Sequence, residues 1–247
     1  MADAASSAAD AALLSSCRLR RQPVRTGGAI RGRLLKLYLR LARLPSLGPV
    51  ELDADTERSF ERAADDLLAG RTRELPERRL DFLRWLAASR GLVFHGSPLG
   101  DLAQLELIRR SRDTTAWGDQ QALYASNDPV WAIYFACLRR DDGFRGTRNG
   151  TLGEAGGPLY PRSYFFVHNR GSASPRRFGP GSLYVLPPEL FAAAPPLAGA
   201  VDTAHLVSKE AVTPLARVDV TPADFPFAGR IGYYRDREPI FVTLLRG

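Results

Sequence analysis

The chain has 247 residues, 45% hydrophobic and 25% charged, with 22 glycines and 18 prolines, enough for a sizeable core and many turns. That balance excludes a fibrous or broadly disordered protein, and with Cys17 and Cys137 as the only cysteines it excludes a disulfide framework or a cysteine-built zinc site. No apolar run reaches the length of a membrane span, and a formal charge of +7 points to anionic partners without naming one.

The opening "MADAASSAADAALLSSC" has no basic leader region and carries Asp3 and Asp10, which makes it a poor secretory signal; with the cysteine usage it suggests a cytoplasmic protein, an Ala/Ser/Arg-rich organellar presequence being the other reading. Between Asp10 and Glu51 there is no acid, while Arg18, Arg20, Arg21, Arg25, Arg31, Arg33, Lys36, Arg40 and Arg43 fall inside that interval. Residues 1–48 therefore form a basic arm. Its last part, "RGRLLKLYLRLARL", sets Leu34, Leu37, Leu41 and Leu44 on one helical face. Two readings are open: the leucines rest on the protein's own body, or the helix meets an anionic surface such as nucleic acid or membrane headgroups.

Residues 49–90 read as a helical region. "DADTERSFERAADDLLAG" has an aspartate or threonine cap, apolar Phe60, Ala63, Ala64, Leu67 and Leu68 at helical spacing, and Gly70 as a stop. "PERRLDFLRWLAASRG" starts a second helix at Pro76, carries Leu80, Leu83 and Leu86 flanked by Phe82 and Trp85, and ends at Gly91.

From residue 91 to 247 the texture is mixed. "LVF" predicts a strand, "DLAQLELIRR" a helix opened by Asp101, and "ALYAS" a second strand. "DPVWAIYFACLRR" predicts a helix capped by Asp128 with Pro129 at its first position and Trp131, Phe135 and Leu138 near one face. The tract from Asp141 to Pro161 has no apolar period and reads as a loop. Strands are expected at "SYFFVH", "SLYVL", "HLVSK", "LARVDV" and "EPIFVTLL". Helices early and strands late indicate an α+β fold.

No GxGxxG follows a strand, "GSPLG" lacks a phosphate-loop lysine, and neither a helical zinc motif nor a serine-hydrolase elbow is present. What remains is His95-Gly96-Ser97 at a strand end, Tyr124 near the end of the next strand, and Phe135 eleven positions on. Taken singly, His95 reads as a satisfied core histidine, and Tyr124 and Phe135 as core aromatics. Together, "FHGS" and "LYASNDPVWAIYF" resemble the ADP-ribosyltransferase fold of the diphtheria-toxin and poly(ADP-ribose) polymerase branch, in which the same eleven-residue step separates two aromatics. The resemblance runs roughly from Leu92 to Asp224.

The resemblance implies a split antiparallel sheet and NAD as substrate, with no metal. It implies that Tyr124 and Phe135 enclose the nicotinamide ring, that the main chain of Gly96 pairs with its carboxamide, that His95 bonds a ribose hydroxyl with Ser97 adding a polar contact, and that Arg110 meets phosphate or adenosine. Relatives complete the site with a glutamate at the start of a late strand, where a carboxylate favours the positive charge that develops on the ribose as nicotinamide leaves. Here that position falls on His205, and Glu210 lies five residues later. If His205 is the match, the chain is similar to members without the glutamate, which transfer single units or are inactive. If the register slips, Glu210 reaches the ribose. The functions implied are transfer of ADP-ribose to a protein or nucleic acid, or cleavage of NAD by water. A catalytically silent NAD or ADP-ribose binding module, or a surface-binding protein led by the basic arm, are the other classes.

Overall fold

The computed structural model describes residues 34, 37, 38, 41–107, 120–141, 143–172, 177–240 and 242. It is a mixed α+β structure with two largely antiparallel sheets. None of its described helices is long and apolar enough to cross a membrane.

The two early helices form, the second starting at Arg79 and not at the expected Pro76, which precedes it in irregular chain. In α1 (Ala54–Leu68) Asp53 accepts the Thr56 N–H at 2.7 Å, while α2 (Arg79–Arg90) ends on Gly91 at φ 66°, a left-handed conformation that glycine adopts without penalty. Phe60 and Leu67 of α1 meet Phe82, Leu83 and Leu86 of α2, all buried, and the Phe60 and Phe82 rings contact edge to face at 5.3 Å.

One sheet runs β1 (Ser46–Leu47), β5 (Arg162–Asn169), β4 (Thr147–Glu154) and β8 (Val201–Asp202), with β11 (Gly232–Tyr234) parallel to β5. The other runs β10 (Ala216–Val220), β6 (Gly181–Leu186), β2 (Val93–Ser97), β3 (Leu123–Ser126), β9 (His205–Ser208) and β7 (Ala192–Ala193). Between them lies α3 (Pro129–Cys137), with Asp128 accepting the Val130 N–H at 3.1 Å and Pro129 in its first turn. This helix is apolar on all sides, as an element covered on all sides must be. It lies close enough to the second sheet that a Cβ on Gly96 would overlap the Ala132 carbonyl oxygen and sit 2.7 Å from Ala136 N, and one on Gly181 would overlap the Ala136 carbonyl. On the opposite side, Tyr134 of α3 meets Phe166 of β5 at 4.6 Å between centroids.

Four expectations are corrected. The tract predicted as a loop from Asp141 to Pro161 contains β4, paired with β5 from Thr147↔His168 to Leu152↔Ser163. Its glycines and threonines hid a strand whose Gly150 lies under the Phe165 ring, which a Cβ would approach to 2.5 Å. "DLAQLELIRR" is not helical over its described residues: Asp101 has φ 58°, and Leu105 bridges Val212. At the C-terminus Ile240 and Val242 are helical rather than extended, following Pro239, whose ring closes off the donor a strand would use. In the basic arm Leu44 is buried, but Leu34, Leu37 and Leu41 are 61%, 54% and 68% exposed, so those three do not rest on the protein's own body.

Candidate functional site

The β2–β6 ladder is paired from Val93↔Leu186 to Ser97↔Ser182, whereas the β2–β3 ladder consists of the single pair Phe94↔Ser126. Beyond Phe94 the His95-Gly96-Ser97 edge is therefore matched to β6 on one side and not to β3 on the other. His95 bridges this parting with its ring. Its Nδ1 lies 2.8 Å from the Tyr124 main-chain oxygen, and because a carbonyl only accepts, the proton sits on Nδ1. Burial, offset in part by that hydrogen bond, holds the imidazole below its ordinary range, and the nearby Arg140 charge pushes it the same way. His95 is thus neutral at pH 7, and its Nε2 is an acceptor.

A second group assembles on the α3 side. Phe135 and Trp131, four residues apart and so on one stripe of the helix, are in edge contact at 4.5 Å, and the Trp131 ring lies 4.8 Å from the His205 ring. Trp131 is fixed from the other sheet, its Nε1–H donating to Asn149 Oδ1 at 2.7 Å. The Arg140 guanidinium stands over the Phe135 ring at 4.9 Å. Through its charge on His95 and its ring contact with Phe135, Arg140 connects the two groups.

The register distributes the remaining residues. Cross-strand partners share a sheet face, so His205, opposite Ser126, and Tyr124, opposite Val207, lie on the face that also carries Phe94 and Gly96, toward α3. His95 lies on the other face, opposite Tyr184, and reaches Tyr124 through the parting of the strands. The Tyr124 hydroxyl donates to the Gln120 carbonyl at 3.0 Å, which orients the ring. Ser97 is buried, and its Oγ accepts the Leu99 N–H at 3.1 Å in the turn that follows.

The two candidate catalytic positions stand at opposite ends of β9. His205 opens the strand beside Trp131, while Glu210 is exposed in the turn beyond Ser208, where its own N–H donates to Ser208 Oγ at 3.1 Å. With Ser208 opposite Leu123 and His205 opposite Ser126, Glu210 lies past the start of β3, away from Trp131 and Phe135. Arg110 lies outside the described residues. Comparison with protein families, with curated proteins and with solved structures finds no match.

Sequence reasoning placed Trp131 on the right helix face without giving it a part in the site; the four-residue step to Phe135 is the signal for it. Arg140 and Asn149 carried none, since one follows the helix and the other belongs to the strand read as a loop. Chemically, the assembly offers an imidazole acceptor, two aromatic rings, a guanidinium and a strand edge. No carboxylate is among its described members, so it can hold a flat, anionic, hydroxyl-bearing ligand more readily than it can stabilise a cation forming on one.

Proposed function

We propose that the protein is an ADP-ribosyltransferase-like domain of split antiparallel sheet that binds NAD between β2 and β3. The observation that carries this reading is the parting of those strands after one residue pair, at the point where His95 leans across to the Tyr124 carbonyl. Nicotinamide lies against Phe135 with Tyr124 as the second ring, its carboxamide facing the main chain of Gly96. Gly96 has no room for a side chain toward α3, so its glycine is required by packing as well. His95 Nε2 accepts from a ribose hydroxyl, and Arg140 supplies positive charge for the diphosphate. The acceptor of ADP-ribose is a macromolecule taking single units, or water.

In the reaction the glycosidic bond to nicotinamide breaks, the electron pair leaves with the ring, and a nucleophile closes on the ribose carbon. The position of His205, with Glu210 exposed at the far end of β9, favours as second reading a module that binds NAD or ADP-ribose without cleaving it. Both readings predict that NAD raises the melting temperature of the purified protein and that His95→Gln and Phe135→Ala abolish the shift. Release of nicotinamide separates the enzyme from the module, and absence of any NAD-dependent shift removes both. The basic arm is tested separately: deleting residues 1–45 removes salt-dependent binding to DNA, RNA or anionic vesicles if the arm leads the function.

A further inference from the structure

On the face of the second sheet away from α3 is an open depression of about 290 Å³ lined by Arg73, Asp101, Leu102, Tyr184, Pro214 and Arg217. Arg217 and Tyr184 are directly opposite one another on β10 and β6. The Tyr184 hydroxyl pins the adjoining loop at two points, accepting the Leu102 N–H at 3.1 Å and donating to the Leu99 carbonyl at 3.0 Å. Between these points Asp101 takes φ 58°, a left-handed conformation that side chains other than Asn and Asp rarely occupy. The strained residue thereby places its carboxylate on two guanidiniums, pairing with Arg217 Nη1 and lying 3.9 Å from Arg73 Nη1.

The pairing is unequal. The Asp101 side chain is 82% exposed and that of Arg217 17% exposed, so a carboxylate free to leave covers a guanidinium that is not. Arg217 keeps Nη2 near Asp219 at 3.4 Å, and its Nε is buried with no hydrogen-bond partner among the described residues. The donor that Asp101 caps is Nη1, and the space beside it is much larger than that carboxylate.

We propose that this depression is a binding site for a small organic oxyanion, a phosphomonoester or carboxylate, whose charged end displaces Asp101 from Arg217 and Arg73 and whose body packs on Tyr184, Leu102 and Pro214. Planar guanidiniums bind oxyanions through paired donors, and the Asp101 carboxylate holds the place of that group in the free protein. The proposal does not use Tyr124, Phe135 or His205 and stands whether or not NAD binds.

Thermal shift and calorimetry with phenyl phosphate, benzoate and inorganic phosphate, each against sodium chloride of equal ionic strength, test it. Asp101→Asn keeps a residue suited to the left-handed backbone while removing the competing charge, and should tighten binding about tenfold. Arg73→Ala, at an exposed position, and Arg217→Lys, which keeps the charge but loses the fork, should weaken it. A preference for phenyl phosphate over benzoate assigns a phosphomonoester and the reverse a carboxylate. Shifts no larger than those of sodium chloride, or an Asp101→Asn variant that binds no more tightly than the parent, would overturn the proposal.

Discussion

His95 donates its Nδ1–H to the main-chain oxygen of Tyr124 across 2.8 Å, joining two strands whose backbones share only one ladder pair. The bond fixes a side chain on one strand against the main chain of another, so the imidazole cannot turn without losing it. It also fixes the tautomer, and burial keeps the ring uncharged. Nitrogen NMR of the imidazole should therefore show protonated Nδ1 and unprotonated Nε2 at pH 7, with titration beginning below the ordinary histidine range. A His95 ring found doubly protonated at pH 7 would contradict the geometry.

Gly96→Ala should be severe. A Cβ there meets the main chain of α3, overlapping the Ala132 oxygen and lying 2.7 Å from Ala136 N, and neither is the end of a flexible side chain. The helix or the strand must move, at a cost of about 3 kcal/mol or more by analogy with overpacked cores. Gly48→Ala is the control, because a Cβ at that exposed position meets nothing within 4 Å, and it should change stability by less than about 1 kcal/mol. Urea unfolding of the two variants measures the difference.

The same glycine shows what could be read from the sequence. Asp53, Asp128, Pro129 and Gly91 act through local rules of capping and backbone conformation, and the starts of α1 and α3 and the end of α2 lie where those rules put them, whereas α2 begins three residues beyond the expected Pro76. The strands β5, β6, β9 and β10 announced themselves by apolar β-branched and aromatic runs between turn residues. β4 did not, because its sequence TRNGTLGE is held by the neighbouring strand rather than by its own apolar content. Asp101 likewise looked like a helix cap, yet the Tyr184 hydroxyl, 83 positions away in the chain, holds its loop in another conformation. At the candidate site, spacing paired Trp131 with Phe135, but only tertiary structure sets His205 beside Trp131 and Glu210 beyond the end of the strand.

Acid should weaken the fold through His168. Its ring is buried, stacked on Phe178 at 5.7 Å, with Nε2 2.9 Å from the Tyr134 hydroxyl, and burial pushes its pKa down to about 4. The unfolded chain takes up this proton near pH 6.5, whereas the folded chain resists until about pH 4, so stability is lost as pH falls through that window. The loss is on the order of 3 kcal/mol at most. His95, also held low by burial, adds a term of the same sign, while the buried Asp128 carboxyl is held high and opposes them by binding its proton more readily when folded. His168→Phe preserves the ring packing and removes the titrating group. Its stability, followed by urea unfolding at pH 7, 5.5 and 4.5, should decline less steeply than that of the parent.

The sharpest prediction concerns His205. It opens β9 opposite Ser126, with its ring 4.8 Å from that of Trp131, on the sheet face that carries Tyr124. If NAD lies between β2 and β3, this is the position from which a carboxylate would meet the ribose while nicotinamide departs. His205→Glu should then raise nicotinamide release by about a hundredfold, the scale on which one well-placed electrostatic group acts on a forming charge. Glu210→Gln should leave both NAD binding and nicotinamide release as they are, because that side chain is exposed beyond the far end of the strand. Release that falls on Glu210→Gln and does not rise on His205→Glu would mean that β9 presents its other end to the ligand, and would relocate the site to the turn beside Ser208.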